Sequence, residues 1–238
     1  MNKKIVTASI LVGGLIAGSA QAALHDRGGG LIYDDVLDVT WLQNANYAGG
    51  MMSFVQAQTW AGNLSYYDSV RHITYTDWRL PTVTDKGRPG CNSSNFGTDC
   101  GYNVDTATGE MAYMFYTNLG NLAALKPTGF PQAGSGLKKT GPFINLQAGV
   151  YWYGTEVAGS NMQGLPTIWT FDFSNGWQGT QNQLNSQIYA WAVRDGDVIA
   201  TSVPEPETYT MMLAGLGLVG LMARLKAPRP INQYRIRK

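Results

Sequence analysis

The sequence predicts an α+β domain of short antiparallel strands, two helices and long loops, followed by a C-terminal hydrophobic helix. Three observations carry this expectation. Short runs rich in Tyr, Trp, Val and Ile are bounded by Gly, Asn or Asp; two longer segments repeat apolar residues at steps of three and four; and residues 211–223 hold no charge.

In chain order, strand-type runs fall at residues 31–33, 39–42 and 73–80, and again at 149–155, 167–173 and 188–194. Asp34, Asp35 and Asp38 lie between the first two, where short carboxylates favour a turn. The first helix is expected over 53–64, where Phe54, Ala57, Trp60, Ala61 and Leu64 form one stripe and Ser53 can cap the start. A second is expected over 109–125, with Met111, Met114, Phe115, Leu119 and Leu122 aligned. Both stripes read as core rather than binding surface. Residues 126–147, rich in Pro, Gly, Ser, Lys and Thr, form a long loop inside one domain, since strand-type sequence resumes beyond them.

The N-terminus has three zones: Lys3 and Lys4, an apolar run from Ile5 to Ala17, and Ala20-Gln21-Ala22. This is the pattern of a secretory signal peptide spanning 1–22. The small side chains of Ala20 and Ala22 suit signal peptidase, and cleavage is expected after Ala22. The run is too short to span a bilayer comfortably.

At the other end stand Val203-Pro204-Glu205-Pro206, the apolar stretch 211–223, and a tail whose charges, beginning with Arg224, Lys226 and Arg229, are all positive. Thirteen helical residues cover about 20 Å against a hydrocarbon core of roughly 30 Å, so length alone favours a buried helix. Its terminal position, the prolines before it and the one-signed flank point instead to a short transmembrane helix, with its basic end held in the cytoplasm. Residues 203–238 resemble the PEP-CTERM sorting signal. That resemblance implies an exosortase-type processing enzyme, transient anchoring in the inner membrane with a periplasmic ectodomain, and delivery to the cell surface or an exopolysaccharide matrix. Pro204 and Pro206 keep such a site extended and unpaired, open to an enzyme.

Between the two signals, residues 23–202 hold 9 Lys and Arg against 14 Asp and Glu, a net charge of −5. An acidic, aromatic-rich domain without a basic stripe excludes nucleic acid as a partner. Cys91 and Cys100 lie among small polar loop formers and, in an exported chain, are expected to form a local disulfide. No metal or cofactor is expected. Two thiols without a nearby histidine do not complete a zinc site, and Asn92, Asn95, Asp99, Asn103 and Asp105, which could in principle hold calcium, read better as solvated turns. With only His25 and His72 available, a Ser-His-Asp or multi-histidine centre is not expected, so the chain reads as a non-enzyme.

Five segments occur in a telling order: Gly30-Leu31-Ile32-Tyr33-Asp34-Asp35, Val39-Thr40-Trp41-Leu42, Asp77-Trp78-Arg79-Leu80-Pro81-Thr82, Tyr151-Trp152-Tyr153-Gly154-Thr155-Glu156 and Ala190-Trp191-Ala192-Val193-Arg194-Asp195-Gly196. Together they resemble the Lcl C-terminal-domain-like family of extracytoplasmic bacterial proteins, which implies a C-type-lectin-like fold across about residues 30–197. Trp78, Trp152 and Trp191 read as core, and Arg79 as the partner of a carboxylate such as Asp77 or Glu156. The resemblance implies a glycan or protein ligand held on the loops 85–105 and 126–147, with Trp177 as a platform for a sugar ring. A structural matrix component without a ligand is the first alternative, and an enzyme of unrecognised type the second.

Overall fold

The computed structural model describes residues 24–86, 95–162, 165–183 and 186–198, together with residues 213, 214 and 216. The chain divides into two compact units, Met1–Val198 and Ile199–Lys238.

The first unit is a mixed α+β domain with three sheets. Strands β1 (Leu24–Asp26), β2 (Leu31–Asp34) and β3 (Val39–Leu42) form an antiparallel meander, and the last strand of the domain, β11 (Val193–Asp195), closes it in the order β1-β2-β3-β11. The short strand β4 (Met51–Met52) leads into helix α1 (Phe54–Gly62), and β5 (Tyr66–Asp68) and β6 (Ile73–Tyr75) make a hairpin. Helix α2 (Glu110–Tyr113) passes into a π-helical turn, Met114–Asn118. Strands β7 (Val150–Met162), β8 (Leu165–Asp172), β9 (Trp177–Asn182) and β10 (Ile188–Tyr189) complete a five-stranded sheet ordered β4-β10-β7-β8-β9. Every pairing in it is antiparallel except that of β10 with β7.

Aromatic burial holds these layers together. Trp41 and Trp191 meet at 4.5 Å between ring centroids, and Phe115, Phe171 and Phe173 pack mutually at 5.1–5.8 Å. Trp78, Trp152 and Trp191 are all buried, and each indole N–H finds a backbone carbonyl: Tyr75, Met52 and Leu42 respectively. A smaller cluster of Phe54, Ala57, Ala61, Leu80, Trp152, Ile168 and Ala190 seats α1 on the large sheet. Ser53 opens α1 with a complete capping box, its hydroxyl accepting from the Gln56 N–H while the Gln56 side chain accepts from the Ser53 N–H.

Several expected elements differ in extent. The run 188–194 is two strands rather than one: Ile188 and Tyr189 belong to the large sheet, and Val193 onward to the small one, so a single apolar segment joins the two. Pairing in 73–80 ends at Tyr75, after which the chain turns Trp78 into the core and Arg79 forms a lone bridge to Val193. The second helix stops at Asn118, not 125. Its last turn widens to a Leu119-to-Met114 hydrogen bond, and Gly120, at φ +61°, reverses the chain. Leu122 therefore leaves the core stripe; it is exposed and bridges Gly136.

In the second unit, Leu213, Ala214 and Leu216 are helical. The remainder of the expected hydrophobic helix lies outside the described residues. Among the described residues no helix is long and apolar enough to cross a membrane.

Candidate functional site

Trp177 opens β9 beside a reversal of the chain built almost wholly from its own polar groups. The Asp172 carboxylate accepts from the Ser174 N–H and hydroxyl at 2.8 and 2.6 Å and from the Asn175 amide at 2.7 Å, and Asn175 accepts from the Trp177 N–H at 2.8 Å. The Tyr116 hydroxyl donates to the Gly176 carbonyl and accepts from the Asn103 N–H. Trp177 itself is half-buried rather than exposed, with Tyr102 packed edge-on at 4.8 Å.

Next to it, Gln178 is fully buried. Its amide donates to the Asp99 carbonyl at 2.6 Å and lies 3.3 Å from the Thr108 hydroxyl, while its oxygen accepts from the Tyr153 hydroxyl at 2.7 Å. Burial pushes the Tyr153 phenol well above its usual range. This node ties the 95–109 segment to β7 and β9, and it leaves no room at Gly109, where a Cβ would stand 2.5 Å from the Tyr153 hydroxyl. The second expected loop is also fixed: the Asn121 side chain, buried, accepts from the Lys138 and Lys139 N–H groups and donates to the Lys139 carbonyl.

The oxygen-bearing side chains of the 95–105 segment point to local partners. Asn103 donates to the carbonyls of Asn95 and Leu125, Asp105 accepts from the Ala107 N–H, and Asp99 accepts from the Lys86 N–H. Burial raises the pKa of Asp99 above the ordinary carboxylate range. Among the described residues no group of three or more His, Cys, Asp or Glu could hold a metal ion. Asn92 and Cys91 lie outside the described residues. Cys100 is fully buried and is not a free thiol.

Arg79 takes different partners from those expected. It makes a bidentate pair with Glu110 at 2.8 and 2.9 Å and a second contact with Asp195 at 2.5 Å. Glu110 also accepts from the Thr82 N–H, so the cluster pins the start of α2 to the 79–82 segment. Burial opposes the Arg79 charge, and Glu110 and Asp195 outweigh it, raising its pKa. Asp77 instead pairs with Arg194 at 2.7 Å, whose guanidinium lies over the Tyr75 ring, and Glu156 is exposed. Both residues flanking Trp78 thus find partners distant in sequence, Arg79 in α2 and at Asp195, Asp77 in β11. His25 contacts Asp35 and His72 contacts Tyr67; neither bonds a serine, threonine or cysteine among the described residues.

Several concavities open among the described residues. One of about 220 Å³ lies beside Arg79 and Trp78, and one of about 210 Å³ between Gly30, Tyr47 and Tyr66. Another, about 470 Å³, runs along the outer side of α1 and is lined by Val55, Gln56, Thr59, Trp60, Asn63, Leu64 and Ser65. Sequence reasoning assigned Trp60 to the core stripe. Its indole is only partly buried, packed against both apolar clusters while still lining this groove.

The expected processing residues Ala20, Ala22, Val203, Pro204, Glu205, Pro206, Arg224, Lys226 and Arg229 lie outside the described residues. Sequence comparison reaches the C-terminal ones. Residues 202–227 match the PEP-CTERM protein-sorting motif. The match takes in Val203 to Pro206, Arg224 and Lys226, and stops before Arg229. It implies an exported, membrane-anchored precursor that an exosortase processes for delivery to the cell surface. No curated protein and no solved structure matches the chain.

Proposed function

We propose that the chain is an exosortase substrate with a cleavable signal at 1–22, whose ectodomain, residues 23–202, reaches the cell surface or an exopolysaccharide matrix and there binds a glycan or a protein. The PEP-CTERM motif at 202–227 is the observation that carries this reading. The hydrophobic stretch 211–223 serves as a transient transmembrane helix, and the basic residues from Arg224 onward keep its end in the cytoplasm. A C-type-lectin-like domain is supported by the ordered Trp- and Gly-containing segments and by a mixed architecture carrying long, internally bonded loops.

A binding rather than catalytic role is favoured by the way the polar side chains are used. Asp34, Asp172, Asn121 and Gln178 fix turns and loops, and the Arg79 cluster fixes α2. A disulfide between Cys91 and Cys100 belongs to the same proposal: both cysteines of the chain border one loop, and Cys100 is not a free thiol.

Fractionation of cells expressing the full chain tests the proposal. The ectodomain is expected in the surface and matrix fractions when exosortase is present, and in the inner membrane when it is deleted. Equal distribution in both strains contradicts the reading.

A further inference from the structure

The groove along α1 combines an aromatic plate with a wholly uncharged polar border. All seven of its lining residues are uncharged. Gln56 and Trp60, and Thr59 and Asn63, stand four residues apart, so that their side chains share the outer face of the helix, and Leu64 and Ser65 close one end. Trp60 provides a fixed plate, because its ring is anchored on both apolar clusters. Around it, the Gln56 Nε2, the Thr59 hydroxyl, the Asn63 side-chain amide, the Ser65 hydroxyl and the Trp60 Nε1 make no hydrogen bond to any described residue.

The contrast with the Trp177 region is direct. There the polar groups are spent on the fold; here four exposed polar side chains flank an indole. We infer that this groove is a binding site for a neutral, hydroxyl-rich ligand, the sugar rings of an uncharged polysaccharide.

An indole offers an apolar face to the C–H side of a pyranose ring, while amides and hydroxyls at its border exchange hydrogen bonds with water for bonds to ring hydroxyls. Amide and hydroxyl groups, being both donors and acceptors, match a ligand whose hydroxyls are the same. A carboxylate or sulfate on the ligand would lose hydration with no cation in the lining to replace it. The volume, about 470 Å³, lies within the range of small-molecule sites, and the anchored ring lowers the ordering cost of binding.

This inference rests on the glycan-binding form of the proposed function, and one experiment separates the two. The full chain, purified in a detergent without a sugar headgroup, is applied to an array of neutral, carboxylated and sulfated oligosaccharides, together with Trp60→Ala, Thr59→Arg and Trp177→Ala variants. Thr59 is exposed, so the arginine fills the groove without disturbing the core and stands in if Trp60→Ala unfolds. Neutral glycans are expected to bind, with affinity reduced about tenfold or more by Trp60→Ala and by Thr59→Arg, and unchanged by Trp177→Ala. Neutral binding that survives both groove variants overturns the site and leaves a glycan-binding domain. Binding to acidic glycans alone overturns the ligand class. An array with no binding at all overturns the inference and removes the glycan form of the function with it.

Discussion

The domain through Val198 and the tail from Ile199 encode their roles in opposite ways. In the domain, a residue acquires a role only through partners distant in sequence: Arg79 through Glu110 and Asp195, Trp191 through Leu42, Gln178 through Tyr153 and Asp99. The tail carries its message in 26 consecutive residues that match a sorting motif without reference to any fold. A signal to be read by an enzyme in an extended chain has to be local, whereas a packed domain distributes its specification over many contacts. The two should therefore fail independently.

The largest expected effect comes from the tail. Replacing Val203, Pro204, Glu205 and Pro206 together by alanine should abolish exosortase processing and hold the precursor in the inner membrane, while leaving the melting temperature of the domain unchanged. Western blotting of fractions and thermal denaturation read the two outcomes separately. A fall in melting temperature would break the proposed independence.

Next in size is the expected disulfide. Cys100→Ser should lower domain stability by about 2 to 3 kcal/mol in denaturant unfolding and leave tail processing intact. Gly109→Ala should follow, costing about 1 to 3 kcal/mol, because the new Cβ would stand 2.5 Å from the buried Tyr153 hydroxyl and 2.7 Å from the Gln178 oxygen. Both variants should still be sorted.

The smallest effect concerns pH. The hydrogen bond from Arg194 holds the Asp77 carboxyl below its ordinary range. At Asp68 burial opposes ionisation, but Arg71 and the backbone N–H groups of Val70 and Arg71 prevail and lower its pKa too. Each depressed carboxyl contributes stability that is complete above the unfolded pKa, near 4, and is lost as pH falls through the folded value. Unfolding should therefore become easier below about pH 4. Asp77→Asn should flatten that slope only slightly, by about 1 kcal/mol or less, since the carboxylate is more than half exposed. Asp34 has the opposite sign: burial raises its pKa, so its contribution weakens as pH rises.

The same contrast explains what could be read from sequence. Strands β2 and β3, the Ser53-capped α1 and the buried Trp78, Trp152 and Trp191 were legible because periodicity, capping and aromatic burial are short-range signals. The division of 188–194 between two sheets was not, since the run reads as one continuous strand-type segment and only the partners of its ends, β7 and β3, divide it. Strand β9, Trp-Gln-Gly-Thr-Gln-Asn, has almost no strand signature; its pairing with β8 and the burial of Gln178 against Tyr153 make it one. For the candidate sites, the family resemblance pointed to the loops 85–105 and 126–147 and to Trp177, where described groups such as Asp99, Asn103, Asn121 and Asn175 are bonded within the fold. The α1 groove escaped notice because Trp60 falls on the apolar stripe and its unspent neighbours look like ordinary helix surface.

Intact-mass spectrometry of the protein recovered from the cell surface tests the central claim most directly. Sorting through the tail predicts a mature chain that begins at Ala23 and ends close to Pro204 or Pro206. A surface-exposed species that still ends at Lys238 would contradict it.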